Sequence, residues 1–486
     1  MLHDDEIVEM NPWWTDPAWT ARDPELRRLA SQPTRLPTPQ IARIDLRDVG
    51  TYVIRGPRQV GKSTDLKLLA TQALADGRKP TDVVYLALDT REDQSSEQVT
   101  RSVRRAFELS RSAPDGLLLL DEVTYVKRWA NAVKALFEGG ITDRATLVCT
   151  GSSATDLALA ESEGLPGRRG TGDDILVLPQ DFGAFARAVD PSLPEPPGMT
   201  IGALLSDDGK DLMMQTRLHL PRLQQAFERY LVFGGLPAAV AEAVEGAPRP
   251  SEATKRVLTD ALMRDLRKKG GTVPAIEALL ERVLRSLSSR VSWQHMASEV
   301  DVPLGGRGPT PSRTDRRTLQ DYIEFMAAGY FALVLYFWKT DLGTSDLSKD
   351  KKIYFGDPLL HTVTIDRIGS TPDMHALVEN AVGIHLYRRY EPSARQPETF
   401  VAPDCLHVWG TRSGGEIDFV CGPRDGIDAV EVADWVKVNR QKATAPMRAL
   451  PDRLSLVATR TELEFGSGVN LVPAAMLAWA VSSPAR

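Results

Sequence analysis

The stretch TYVIR at residues 51–55 runs without a break into Gly56, Pro57, Arg58, Gln59, Val60, Gly61, Lys62, Ser63 and Thr64, and then into the helical pattern STDLKLLATQAL, with Leu66, Leu69, Ala73 and Leu74 on one face. No other feature constrains the fold so tightly. Glycines at both ends of the turn let the backbone curl until successive NH groups point inward. The positive end of the following helix adds to them, so the pattern GxxxxGKS between strand and helix forms a cradle for phosphate. Lys62 then supplies a point charge for the β and γ phosphates of ATP, and Ser63 a hydroxyl ligand for Mg²⁺.

Around that cradle, apolar β-type runs alternate with helical patterns: DVVYLAL from 82, GLLLLDE from 116, ATLVCTG from 145 and DILVLPQ from 174 follow TYVIRG. Alternation of this kind predicts an α/β domain, a parallel sheet covered by helices on both faces. GLLLLDE ends in two acids where a buried strand emerges. That position suits Asp121 to holding Mg²⁺ through water and Glu122 to polarising the attacking water. DVVYLAL inserts a strand between cradle and acid pair, an arrangement similar to the ATPase branch of P-loop proteins that uses a catalytic glutamate. Asp89, at the tip of that strand, is expected to cap a helix. Charge developing on the transferred phosphoryl group calls for a cation, and Arg168, with Arg169, in the glycine-rich LPGRRGTG is the candidate, acting in its own chain or across a homo-oligomer interface.

At 486 residues the chain exceeds one ordinary domain. Fifty-nine lysines and arginines against 65 acids give a net charge of -6, so any basic surface for nucleic acid must be local. Cys149, Cys405 and Cys421 are odd in number and lack metal-ligand spacing, which favours a reducing, cytoplasmic setting over a disulfide framework. The acidic start MLHDDEIVEM is unlike a signal peptide, and no apolar run reaches membrane-spanning length. Residues 1–40, with Trp13, Trp14 and Trp19, read as an arm packed on the first domain, which is expected at 41–195. The proline-rich DPSLPEPPG at 190–198 reads as a linker. Helical periodicity dominates 205–345, and mixed strand and helix patterns fill 350–486.

With these pieces in place, the chain resembles prokaryotic AAA-type ATP-binding proteins that carry a C-terminal domain of unknown function related to restriction-endonuclease folds. The matching segments are IRGPRQVGKST, LLLLDE, TGSS, PGRR, LPQDFGAF, YLVFGGLPAAV, KKIYFGDPLL, LVENAVGIHLYRR and GGEIDFV with VEVADW, spread through almost the whole chain. The resemblance implies a P-loop AAA-type domain, a helical lid and winged-helix middle domain, and a C-terminal α/β restriction-endonuclease-like domain. It sets Thr150, Ser152 and Ser153 where AAA-type ATPases have a polar sensor of the γ-phosphate.

In the last domain it also implies a second metal site formed by Glu379, Asp418 and Glu431. Strand alternation puts Glu416 on the same face as Asp418, and the carboxylates would repel unless a cation joined them. Such folds carry an E-x-K, but this chain has Ala433 in the lysine position, with Lys437 four residues on. In the winged-helix region, Arg307, Arg313, Arg316 and Arg317 form a local positive stretch for phosphate contacts, RDLRKKGG at 264 forms another, and Thr318 is expected to cap a helix. The reading that follows is an Mg²⁺-dependent ATPase whose hydrolysis drives or gates the attached domains. The alternatives are a nucleotide-gated module for nucleic acid or protein with little turnover, and an ATP-controlled metal-dependent nuclease.

Overall fold

The computed structural model describes residues 2–32, 36, 41–90, 94–110, 116–140, 145–152, 172–300, 314–390, 401–411, 415–422, 428–432, 440–450, 454–466 and 470–484. Two compact units divide it, the first ending at Leu178 and the second beginning at Pro179. The division therefore falls ahead of the proline-rich stretch at 190–198. That stretch is tied into the second unit, where Trp479 Nε1 donates to the Pro194 carbonyl at 3.1 Å.

In the first unit, β1 (Thr51–Arg55), β2 (Val83–Ala87), β3 (Leu117–Asp121), β4 (Thr146–Gly151) and β5 (Asp174–Leu176) form a five-stranded sheet in the order β2-β3-β4-β1-β5. Every pairing is parallel. Every residue of β1, β3 and β4 is buried, which is why these strands read as continuous apolar runs rather than alternating ones. Helices α1 (Asp4–Met10), α2 (Pro24–Ala30), α3 (Lys62–Ala75), α4 (Ser96–Ser110) and α5 (Trp129–Glu138) accompany the sheet. Val99, Val103 and Ala106 of α4 pack into one core with Val84, Leu86, Leu118 and Leu120, and Ile7 of α1 joins the same cluster. Ser95, not Asp89, caps α4: its Oγ accepts from Gln98 N at 3.3 Å while Gln98 Oε1 accepts from Ser95 N at 2.8 Å. Asp89 stands in an exposed turn six residues before that cap.

The second unit holds a mixed seven-stranded sheet in the order β12-β11-β10-β9-β8-β6-β7. Its strands are β6 (Ala332–Lys339), β7 (Thr344–Phe355), β8 (Leu406–Gly410), β9 (Glu416–Cys421), β10 (Asp428–Val432), β11 (Ser455–Thr459) and β12 (Asn470–Pro473). The helices used below are α6 (Phe182–Val189), α7 (Leu220–Phe233), α8 (Glu252–Lys268), α9 (Val273–Ser286), α10 (Trp293–Ser298), α11 (Arg316–Ala328), α12 (Pro358–Ile368), α13 (Met374–Tyr390) and α14 (Ala474–Val481). The hairpin β6–β7 belongs to the same sheet as β8–β12, and the helical middle region and the C-terminal mixed sheet lie within this one unit. Asp315, not Thr318, caps α11, its Oδ1 accepting from Thr318 N at 2.7 Å.

Packing explains the segments YLVFGGLP and FGDP. Asp357 Oδ2 accepts from Gly235 N at 2.9 Å and its Oδ1 from Leu359 N at 2.8 Å, stapling the end of α7 to the start of α12. A Cβ on Gly235 would lie 1.9 Å from the Gln180 carbonyl oxygen, so only glycine allows that approach. Among the described residues, no helix is long and apolar enough to cross a membrane, and Cys149, Cys405 and Cys421 are buried and form no disulfide.

Burial drives His361, His385 and His407 of this unit each down to about 4. His385 is held neutral by its partners: Nε2 accepts from Phe182 N at 2.8 Å and Nδ1 faces the Ala381 carbonyl at 2.7 Å. A base whose folded pKa is depressed loses stability as pH falls through its unfolded value near 6.5, because the unfolded chain takes up a proton that the folded chain refuses. By pH 5 each histidine then costs about 2 kcal/mol. Asp357, pushed up to about 6 by burial, and Glu431, pushed up to about 10, work in the opposite sense and offset much of the loss. In urea unfolding at pH 7.5 and pH 5.0, His385→Gln should therefore lose less stability on acidification than the wild type, by about 2 kcal/mol. Equal pH dependence in the two would contradict the assignment.

Candidate functional site

The carboxyl ends of β1, β3 and β4 deliver the polar residues of the first unit to one place. Gly56 leaves β1 with φ 157°, and a Cβ there would sit 1.9 Å from the Val177 carbonyl oxygen. Gly61, with φ 100°, has open space where a side chain would be and forms the N-cap of α3. Lys62 is 4% exposed and folds back over its own loop, its ammonium donating to the carbonyl oxygens of Gly56 at 3.0 Å and Pro57 at 2.8 Å. Burial lowers its pKa; the nearby Glu122 and Asp121 carboxylates oppose that shift. A buried ammonium held by loop carbonyls, beside a glycine-lined turn at a helix N-terminus, fits the phosphates of a nucleotide. Arg58 reaches out of the loop to the Tyr125 hydroxyl at 3.1 Å. Ser63 and Thr64 stand in the first turn of α3, where Thr64 Oγ1 is 3.4 Å from Glu25 Oε2 of α2.

Asp121 ends β3, buried, with both oxygens engaged: Oδ2 accepts from Tyr85 Oη at 2.8 Å, and Oδ1 from Thr150 Oγ1. Thr150 Oγ1 also accepts from Glu122 N at 2.9 Å, so one hydroxyl ties both members of the acid pair to the end of β4. Ser152 Oγ donates to Glu122 Oε2 at 3.2 Å. Glu122 itself is left-handed, φ 52° and ψ 49°, a conformation that costs a non-glycine residue about 1 kcal/mol and that turns its side chain out of the strand path. The structure thus gathers Lys62, Asp121, Glu122, Thr150 and Ser152 at one edge of the sheet. Ser153, Arg168 and Arg169 lie outside the described residues. Sequence reasoning missed Tyr85; strand alternation marks it only as one of several outward positions on β2.

In the second unit the carboxylates named from sequence do converge, but around an ammonium. Lys352 Nζ of β7 lies 2.9 Å from Glu379 Oε1, 2.6 Å from Glu416 Oε1 and 2.7 Å from Asp418 Oδ1, with its side chain 1% exposed. Tyr354, two residues on and hence on the same face, donates to Glu379 Oε1 at 2.6 Å. Asp418 Oδ2 accepts from Val432 N at 2.9 Å, and Glu431 Oε2 from Asp418 N at 3.3 Å. Burial works to lower the Lys352 pKa, but Tyr354 and the Asp418, Glu379 and Glu416 carboxylates outweigh it and hold the ammonium charged, well above its ordinary value. Burial, then the Asp418 charge, push Glu431 up to about 10, so it stands neutral at pH 7. The missing cation of the E-x-K pattern is therefore answered from a strand 66 residues before Asp418. Ala433 and Lys437 lie outside the described residues, and among the described residues no His, Cys, Asp and Glu group has the arrangement of a metal site.

Arg316 and Arg317 are exposed at the start of α11, but Asp315 and Asp321 line the same groove. Arg307 and Arg313 lie outside the described residues. At RDLRKKGG, Arg267 and Lys268 occupy the last turn of α8, where they complement the helix dipole, and the Lys269 ammonium lies over the Phe325 ring at 5.2 Å.

A five-stranded parallel sheet with a glycine-lined lysine loop after β1 and an acid pair after β3 defines a P-loop ATP-binding domain. Residues 49–186 match the family model of an AAA domain, and residues 224–366 match a domain of unknown function, DUF8612. No curated protein matches the chain. Among solved structures, the chain is similar to the Aeropyrum pernix ORC2 protein in ADPNP-ADP complexes, at 10% identity over 67% of this chain and 90% of that one, with a TM-score of 0.32. The Aeropyrum pernix ORC1 protein in complex with DNA gives 14% identity over 71% and 92%, with a TM-score of 0.28. A katanin self-assembly structure gives 17% over 44% and 74%, with a TM-score of 0.21. These scores are too low to bear on the fold as a whole; the domain match establishes an AAA-type ATP-binding domain in the first unit.

Breaking a buried ion cluster by removing one partner typically costs about 3–5 kcal/mol. Lys352→Met should therefore lower the stability of the full chain by about that much in urea unfolding, whereas Glu431→Gln, which replaces an already neutral group, should change it by less than about 1 kcal/mol. Equal losses for the two would contradict the arrangement.

Proposed function

We propose that the chain is an Mg²⁺-dependent ATPase, with hydrolysis at the first unit. The observation that carries the reading is the assembly of Lys62, Asp121 and Glu122 at one sheet edge, with Glu122 held in a strained, left-handed turn and steadied by Ser152. The backbone of Gly56 to Thr64 binds the phosphates, and Lys62 exchanges its two loop carbonyls for phosphate oxygens. Ser63 and Asp121 are the side chains placed to hold Mg²⁺, which when bound neutralises charge on the β and γ phosphates. Glu122 orients and polarises the attacking water, and the Ser152 hydroxyl fixes the rotamer in which it does so. Arg168 is proposed as the cation that stabilises the transferred group.

A nuclease reading of the second unit is not favoured, because the oxygens that would hold a metal are directed at Lys352. Phosphate release from ATP is the test. Lys62→Ala should abolish nucleotide binding, while Glu122→Gln should retain binding and lower turnover about 100-fold or more. Bound ATP without turnover in the wild type, or turnover unaffected by Glu122→Gln, would sink the proposal.

A further inference from the structure

The N-terminal arm reaches the site through a residue that no motif marks. Among the described residues β2 is an edge strand, hydrogen-bonded to β3 within the sheet, and the arm takes up outward backbone groups at Val83 and Tyr85. Trp13 Nε1 and Trp14 Nε1 both donate to the Val83 carbonyl at 2.9 Å. Two residues further on, the fully buried Asn11 mimics a strand: its Oδ1 accepts from Tyr85 N at 2.7 Å and its Nδ2 donates to the Tyr85 carbonyl at 2.9 Å. The same Nδ2 donates to the Ile7 carbonyl at 2.7 Å, fixing the amide at the end of α1. Tyr85 in turn spends its hydroxyl on Asp121 Oδ2. An unbroken series of buried hydrogen bonds therefore runs from α1 through the Asn11 amide and the Tyr85 backbone and ring to the carboxylate at the end of β3.

We infer that Tyr85 is the positioning residue for the metal-holding carboxylate of Asp121, and that Asn11 makes this positioning depend on the docked arm. The inference rests on the ATPase reading of the site. A carboxylate with two oxygens and one rotatable bond at its end needs an outer partner to present a chosen oxygen to a cation. Thr150 fixes Oδ1 from one side and Tyr85 fixes Oδ2 from the other. Thr150 is carried by a central strand, but Tyr85 belongs to an edge strand whose outer side is completed by the arm. Releasing the arm frees the Tyr85 backbone, and the hydroxyl loses the register that the 2.8 Å contact requires. A second tie reaches the other wall of the site, where Asp23 of the arm bonds Lys67 Nζ of α3 at 2.8 Å. The arm thus acts as a removable brace on the metal half of the site, while the loop that grips the phosphates is built from its own backbone.

The test separates metal from nucleotide. Using the full chain, the affinity for a non-hydrolysable ATP analogue is measured without metal, and the affinity of the analogue-bound protein for Mn²⁺ is measured by electron paramagnetic resonance. Tyr85→Phe, which removes one oxygen, and Asn11→Ala should each weaken Mn²⁺ binding about tenfold or more while analogue binding stays within about twofold. The double variant should be no weaker than Tyr85→Phe alone, since Asn11 works through Tyr85. Trp13→Phe removes one of two donors to the Val83 carbonyl but leaves Trp14 there and Asn11 on Tyr85, so the arm stays docked and Mn²⁺ affinity should stay within about twofold, distinguishing positioning from general support of the fold. Unchanged Mn²⁺ affinity in Tyr85→Phe, or an Asn11→Ala effect that persists in full in the Tyr85→Phe background, overturns the inference. A wild-type complex that binds the analogue but takes up no Mn²⁺ overturns the ATPase reading, and the inference with it.

Discussion

A parallel sheet buried on both faces can present polar chemistry only where its strands end. Within β1, β3 and β4 every position is sealed, so the first chance for a charged group to meet a ligand comes at the last residue of a strand or just beyond it. Asp121, Glu122 and Ser152 obey that rule, Thr150 stands one residue short of the end of β4, Lys62 follows the loop after β1, and parallel pairing puts these ends at the same edge. The left-handed turn at Glu122 is the sharpest expression of it: the backbone gives up a relaxed conformation so that the residue after the buried aspartate leaves the sheet at once.

The second unit solves a different electrostatic problem. Three carboxylates from α13 and β9 approach one another around a single buried ammonium from β7, and Arg290 pairs with Glu416 from its other side. Such a cluster is held by geometry as much as by charge, since a Glu379 or Asp418 oxygen that turned away from Lys352 would be left buried without that compensation. Tyr354 and the backbone NH of Val432 take up further lone pairs, so the acids are fixed on several sides. The arrangement joins the helix α13 to both halves of the sheet, making it an organising feature of that core.

How much of this could be read from the residues depends on how far apart the partners lie. The five strands of the first unit were legible because double-sided burial writes itself as apolar runs, and the phosphate loop because its spacing is local. The convergence of Glu379, Glu416 and Asp418 was legible through alternation and resemblance. What joins them was not, because Lys352 sits on a strand whose place in the sheet depends on pairing over a long separation. Tyr85 escaped for the same reason: the amide that clamps it lies 74 residues earlier. Local caps were misassigned at Asp89 and Thr318 because several short polar residues compete for each helix start, and only the backbone decides among Asp89 and Ser95, or Asp315 and Thr318.

The way Lys62 is held has a consequence for the loop itself. Its ammonium is chelated by two peptide oxygens of the same turn, so the side chain pins the loop back onto its own backbone. The curl of that turn is thereby fixed from its far end as well as by its glycines.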